Sequence, residues 1–206
     1  MDSIADGIFA IVMTLLVFEI KVPAIYGIVT NEAIWKSIII LYPLFLSYIL
    51  SFSLLFTYWR SYHLIASVYA KNTDFTLTNI AGVFFMLVAL APFSSHLLGT
   101  YSEVPMAIIL FAINIILVSL TLFVMRKYAT RAATIENEPV SKQENHRAYT
   151  RILFPVFCAL IAIIMSFTDT KLALFLLTIG ILFNLSKNST HIIFSIINPL
   201  IGRKLG

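Results

Sequence analysis

An all-α integral membrane protein with six transmembrane helices is the fold class this sequence predicts, and three observations carry it. Hydrophobic residues are 60% of the 206 and charged residues 12%, with a mean hydropathy of +0.94. A water-soluble domain of this size does not need that much apolar surface. The apolar residues also fall in runs long enough to cross about 30 Å of hydrocarbon at about 1.5 Å per residue. No run shows the alternation of a half-buried strand, and none is of low complexity.

The first run, 4–22, reads IADGIFAIVMTLLVFEIKV. Wound at about 100° per residue, it puts Ile4, Gly7, Ile11, Thr14, Leu15, Phe18 and Val22 on one stripe. Asp6, Phe9, Met13 and Ile20 fall on roughly the opposite face. Pro23 and the residues after it form a short connection. A second span is expected over 33–58, longer than a crossing needs, ending at Trp59 and Arg60. The polar turn KNTD precedes a third span over 75–98, with Pro92 near its end. TYSEVP separates it from a fourth over 106–125. Residues 126–151 read as a polar loop, 152–167 as the fifth span and 172–185 as the sixth. The tail from Lys187 reads as an extension of the sixth helix or as an interfacial segment. The whole of 1–206 is thereby one membrane domain, and its first span reads as a retained helix without a basic leader.

Six spans put both termini on one side of the membrane. Eleven of the fourteen lysines and arginines fall on that side, and only Lys21, Lys36 and Lys171 on the other. The positive-inside rule then makes the termini cytoplasmic, in a cell (plasma) membrane. The net charge of +4 does not suggest a nucleic-acid partner, because the basic residues sit beside apolar spans. The one cysteine, Cys158, lies in an apolar run and reads as a small buried side chain.

Polar groups inside the spans are few, so each is a candidate for function or for helix adhesion. Asp6 needs a partner at membrane depth. Trp59, His63 and Asn79 lie at the same level and can donate to it, so a network of these four is one reading. A helix-capping role is the other. Thr14 lies mid-membrane on the stripe, and its hydroxyl either faces outward or bonds back to the Ala10 carbonyl. Glu19 either marks an outer mouth or pairs with nearby Lys21. His96 and Glu103 read as solvated, and His146 and His191 as surface residues.

The sequence holds no Gly-rich phosphate loop, no HExxH, no TVGYG filter and no ligand spacing for a metal. An enzyme is not expected, and neither is a cofactor.

The stretch IADGIFAIVMTLLVFEI resembles the first helix of the endolysosomal potassium channel family and its bacterial relatives. That helix carries Phe-Ser-Asp-Gly followed by an apolar run and Thr-Leu-Leu. Residues 58–63, YWRSYH, resemble the family's aromatic-Trp-x-x-His-His segment. Asn79 followed by LAPFSSHLLG over 90–99 resembles its third helix. Ile4 and Ala5 replace the Phe-Ser pair, and Tyr62 replaces the first histidine. The resemblance implies a homotetramer with one six-helix repeat per subunit and a central pore lined by the first helices. Its narrowest points would be large apolar side chains, which on this chain are Ile11, Leu15 and Phe18, with Thr14 beside them. Its partners would be K+ and other monovalent cations, the bilayer and further copies of the chain. Preference for K+ over Na+ would be modest, because no carbonyl cage replaces the ion's hydration shell. The rival functions are a proton-coupled secondary transporter working through Asp6 and a non-conducting membrane scaffold.

Overall fold

A computed structural model describes residues 2–25, 27–70, 72–132, 134–135 and 141–185. The expectation for the tail from Lys187 lies outside the described residues. Among the described residues every regular element is a helix. The helices are α1 (Asp2–Phe18), α2 (Asn31–Ile40), α3 (Tyr42–Leu64), α4 (Phe75–Ala89), α5 (Ala91–Thr100), α6 (Pro105–Ala129), α7 (Lys142–Met165) and α8 (Thr170–Phe183). A π-helical turn, Ile65–Tyr69, extends α3. Four segments are long and apolar enough to cross a membrane: Tyr42–Ser67, Phe75–Thr100, Pro105–Ala129 and Gln143–Met165. Ser3–Phe18 and Thr170–Phe183 are apolar but shorter.

Two expected spans are bent. The run expected over 33–58 breaks at Leu41, and α3 restarts with Pro43 in its first turn. The run expected over 75–98 breaks at Leu90, ahead of Pro92. In each case proline removes an N–H that would have continued the ladder. The polar segment 126–151 is not a loop throughout. α6 continues to Ala129 and α7 starts at Lys142. The charged residues there occupy helix ends. Arg126 is almost wholly buried, with its Nη2 3.3 Å from Asn145 Oδ1 and its guanidinium 6.0 Å from the Tyr149 ring centre.

The core forms around α6, whose Ile108, Ala112, Ile115, Val118 and Leu122 have almost no exposed surface. Tyr58 of α3 reaches it with its hydroxyl, 2.8 Å from Ser119 Oγ and 3.2 Å from the Ile115 carbonyl, to which it donates. Phe84 of α4 is fully buried and is the meeting point of rings from α1 and α3. Tyr62 stacks on it at 5.8 Å, Tyr58 meets it edge-on at 6.5 Å, and Phe9 of α1 tilts against it at 6.0 Å.

Asparagine side chains meet backbone carbonyls at the irregular points of the helices. Pro155 lies inside α7 and has no N–H for the Arg151 carbonyl four residues earlier. The Asn184 amide, from the end of α8, donates to that carbonyl at 3.0 Å. Asn114 of α6 donates to the Leu87 carbonyl at 3.1 Å, beside the break at Leu90. At the other end of α4, Asp74 caps the helix by accepting from the Leu77 amide at 2.8 Å. Its second oxygen accepts from the hydroxyls of Tyr128 and Thr134. The Tyr128 hydroxyl first, and the Leu77 amide after it, hold the Asp74 carboxyl below the usual aspartate range.

Close packing at Gly99 joins α5 to α3. A Cβ there would lie 2.5 Å from Ser47 Oγ, 2.7 Å from Leu44 Cδ2 and 2.9 Å from Leu44 Cα, and the last is backbone that cannot swing aside. Gly99→Ala should therefore destabilise the protein by about 1–3 kcal/mol through overpacking. Thermal unfolding in detergent measures this. Gly82→Ala, where nothing lies within 4 Å, is the control and should leave the midpoint in place.

Candidate functional site

The candidate site is α1 and the residues that hold it. Ala5, Phe9, Val12 and Leu16 recur every three to four residues and are 1–4% exposed, so one face of α1 is locked into the core. Met13 also packs against that core. The stripe expected on the other face is left uncovered by the chain: Ile4, Ile11, Leu15 and Phe18 are 65%, 61%, 44% and 72% exposed. Gly7 and Thr14 are exposed on the same side. The Thr14 hydroxyl donates within its own helix, to the carbonyls of Ala10 at 2.9 Å and Ile11 at 2.8 Å. This is the back-bonded alternative weighed for Thr14.

Near the start of α1, Asp6 Oδ1 accepts a hydrogen bond from Trp59 Nε1 at 2.8 Å, across 53 positions of sequence. Of the four residues grouped from sequence, only these two are joined. His63 stacks on the Trp59 ring at 5.7 Å and is tied to the aromatic group, not to the carboxylate. Asn79 is exposed on α4, and its side chain forms no hydrogen bond among the described residues. Phe56 also packs on Trp59, at 5.8 Å, so the indole is gripped by ring contacts while its N–H holds Asp6.

At the far end, Glu19 follows the last residue of α1. Its Oε2 lies 3.2 Å from Nδ1 of His96 on α5, with both side chains about two-fifths exposed. Nδ1 of His96 has no aligned hydrogen bond, so the contact is one of charge and proximity. Reading the sequence missed this pairing, since it assigned Glu19 to solvent, Lys21 or a mouth. The LAPFSSHLLG segment was the available signal, because it set His96 at the outer level. The Asp74 clamp was missed too. Its signal was an N-cap residue placed directly before an apolar run. Among the described residues no group of three or more His, Cys, Asp or Glu side chains is arranged to hold a metal.

The fold is that of a membrane channel. Over 89% of this chain and 94% of the other, it superposes with a TM-score of 0.74 and 25% identity on the crystal structure of a lysosomal potassium-selective channel TMEM175 homolog from Chamaesiphon minutus. Residues 1–92 match the family model described as endosomal/lysosomal potassium channel TMEM175. The chain is 32% identical over 145 residues to a potassium channel of Chamaesiphon minutus, covering 70% of each sequence. It is 30% identical over 100 residues to a potassium channel of Streptomyces collinus, covering 48% of this chain and 47% of that one. The chain belongs to the TMEM175 potassium channel family. Its named relatives are channels and not enzymes.

The Asp6–Trp59 bond predicts coupled losses. Asp6→Ala and Trp59→Phe should each lower the stability of the detergent-solubilised protein by about 1.5–3 kcal/mol, the scale of one hydrogen bond to a charged group. The double substitution should cost little more than either alone, because the second change has no bond left to break. Strictly additive shifts in melting would mean that the two residues act independently.

Proposed function

We propose that this chain is one subunit of a potassium-permeable cation channel, a homotetramer with six membrane helices in each subunit. The first helices line a central pore, and residues 1–206 act as one channel domain. Ile11, Leu15 and Phe18 form the apolar constriction in place of a carbonyl filter, with Thr14 beside them and Glu19 at the outer mouth. The observation that carries this reading is the uncovered apolar stripe on α1, set back to back with a face that is 1–4% exposed. A helix pinned so firmly from behind presents its free face in a fixed direction, and further copies of the same face give it something to enclose. Family membership supports K+ as the ion.

The physics of such a pore follows from its lining. Four Ile11 side chains on an axis leave an apolar neck that excludes water when narrow and so bars ions. When it widens, cations pass partly hydrated. K+ then has an advantage over Na+ because it sheds water more readily, and the preference is modest because no fixed oxygen cage replaces that water. The Thr14 oxygen, its hydrogen turned to the helix backbone, keeps lone pairs for a passing hydrated ion. Glu19 raises cation concentration at the entrance. The bias of basic residues supports cytoplasmic termini in the plasma membrane, with Asp6 at the inner level and Glu19 at the outer.

Two measurements test this. Ile11→Asn and Ile11→Ala should raise cation flux into proteoliposomes by about tenfold for each ~1.4 kcal/mol removed from the dewetting barrier, and should weaken the preference for K+. Ile11→Leu, of equal volume, should behave as wild type. Unchanged flux and selectivity in Ile11→Asn, or a purified protein that is a monomer, would falsify the pore assignment. For orientation, a cysteine placed in the connection between α6 and α7, in a chain with Cys158 replaced, should resist an impermeant thiol reagent in intact cells. Labelling from outside would invert the topology.

A further inference from the structure

We propose that Arg60, Arg147 and Arg151 form a binding site for the phosphate of an anionic membrane lipid. The proposal concerns the flank of the subunit and does not depend on what passes along α1. Arg147 and Arg151 are four residues apart on α7, so their side chains share one face of the helix. Arg60 comes from α3 and meets Arg151 across Asn184, which accepts from the Arg60 guanidinium and donates to the Arg151 carbonyl. Like charges gathered from two helices repel one another, and an anionic ligand relieves that repulsion.

The scaffold beneath them is rigid. Arg60 Nη2 donates to the Asn184 carbonyl at 2.8 Å, at the end of α8, and the Asn184 amide donates to the Arg151 carbonyl that Pro155 leaves open. The three helices are thus tied together at the level of the guanidinium groups. Among the described residues no carboxylate pairs with Arg60 or Arg147. Arg60 is exposed and Arg147 half-buried.

The depth of the site selects its ligand. One to two turns along α7 from Arg151, the Phe154 ring packs on Phe183 of α8 at 4.1 Å, and Phe157 is 62% exposed on the same helix. Charge therefore gives way to an apolar surface within a few residues, as the headgroup of a lipid gives way to its chains. Trp59, next to Arg60, is of the type that sits at this boundary. Guanidinium groups present forked donors that match phosphate oxygens. A free phosphate would meet the arginines but gain nothing from the phenylalanines, so the site is matched to a phospholipid.

The test uses the full-length protein in detergent, titrated with phosphatidylglycerol, phosphatidylcholine or inorganic phosphate. Native mass spectrometry reads retained lipid, and the unfolding midpoint reads stabilisation. Phosphatidylglycerol should be retained and raise the midpoint, while phosphatidylcholine and inorganic phosphate should do neither. Arg147→Gln should weaken phosphatidylglycerol binding about fivefold, and adding Arg60→Gln should weaken it about fivefold again. Arg147→Lys, which keeps the charge and loses the fork, should bind between wild type and Arg147→Gln. Because no hydrogen bond between helices runs through the Arg147 side chain among the described residues, Arg147→Gln decides the matter even if the double variant fails to fold. Equal binding of phosphatidylcholine, equal stabilisation by inorganic phosphate, or wild-type binding by Arg147→Gln would each overturn the proposal.

Discussion

The packing of Phe9 against Phe84 is the contact on which the arrangement of α1 depends. Phe84 has no exposed surface and is shared by Tyr58 and Tyr62 of α3, so one ring on α4 sets the relation of three helices. A ring seated in a cluster of this kind cannot rotate away without opening a void, and voids in a packed interior are costly. Asp6 on Trp59 then fixes one end of α1 and Glu19 near His96 the other. Three attachments along one face leave the helix little freedom about its own axis. The direction of Ile11, Leu15 and Phe18 is a consequence of what holds Phe9.

A second constraint comes from the solvent. Hydrocarbon offers no partner to a stray carbonyl, so each proline in a membrane helix creates a vacancy that the protein must fill. Here Asn184 fills the one at the Arg151 carbonyl ahead of Pro155, and Asn114 strengthens the break at Leu90 by donating to the Leu87 carbonyl, which also accepts from the Leu90 amide. Each repair is also an adhesion between helices. The bends are stable because the atoms they expose are the atoms that neighbours grip.

Much of this was legible in the sequence for a physical reason. In a chain so apolar, polarity marks where helices end, and the 3.6-residue period of α1 separates its two faces without any structure. The stripe through Ile11, Thr14, Leu15 and Phe18 was read in this way, and those four residues stand on the face that the chain leaves open. Two features were not legible. Charged residues over 126–151 resemble a loop by composition, yet Arg126 sits nearly buried against Asn145 and Tyr149, and helix continues on both sides. Composition reports solvation, not backbone conformation. The grouping of His63 and Asn79 with Asp6 rested on shared depth. Depth fixes height along the membrane normal and says nothing of azimuth, which is why Trp59 alone of the three reaches the carboxylate.

The end of α1 has a consequence for the water around it. Beyond Phe18 the backbone leaves the helix, and a carbonyl of the last turn takes its donor from the loop: the Ile20 amide donates to the Val17 carbonyl at 3.1 Å. A helix end holds more carbonyls than the amides ahead of it can serve. Hydrocarbon offers such carbonyls nothing, whereas water does. The Glu19 carboxylate, placed where the helix stops, is likewise suited to water. A helix that ends in this way is better matched to a hydrated surface than to the oil of the bilayer at that point.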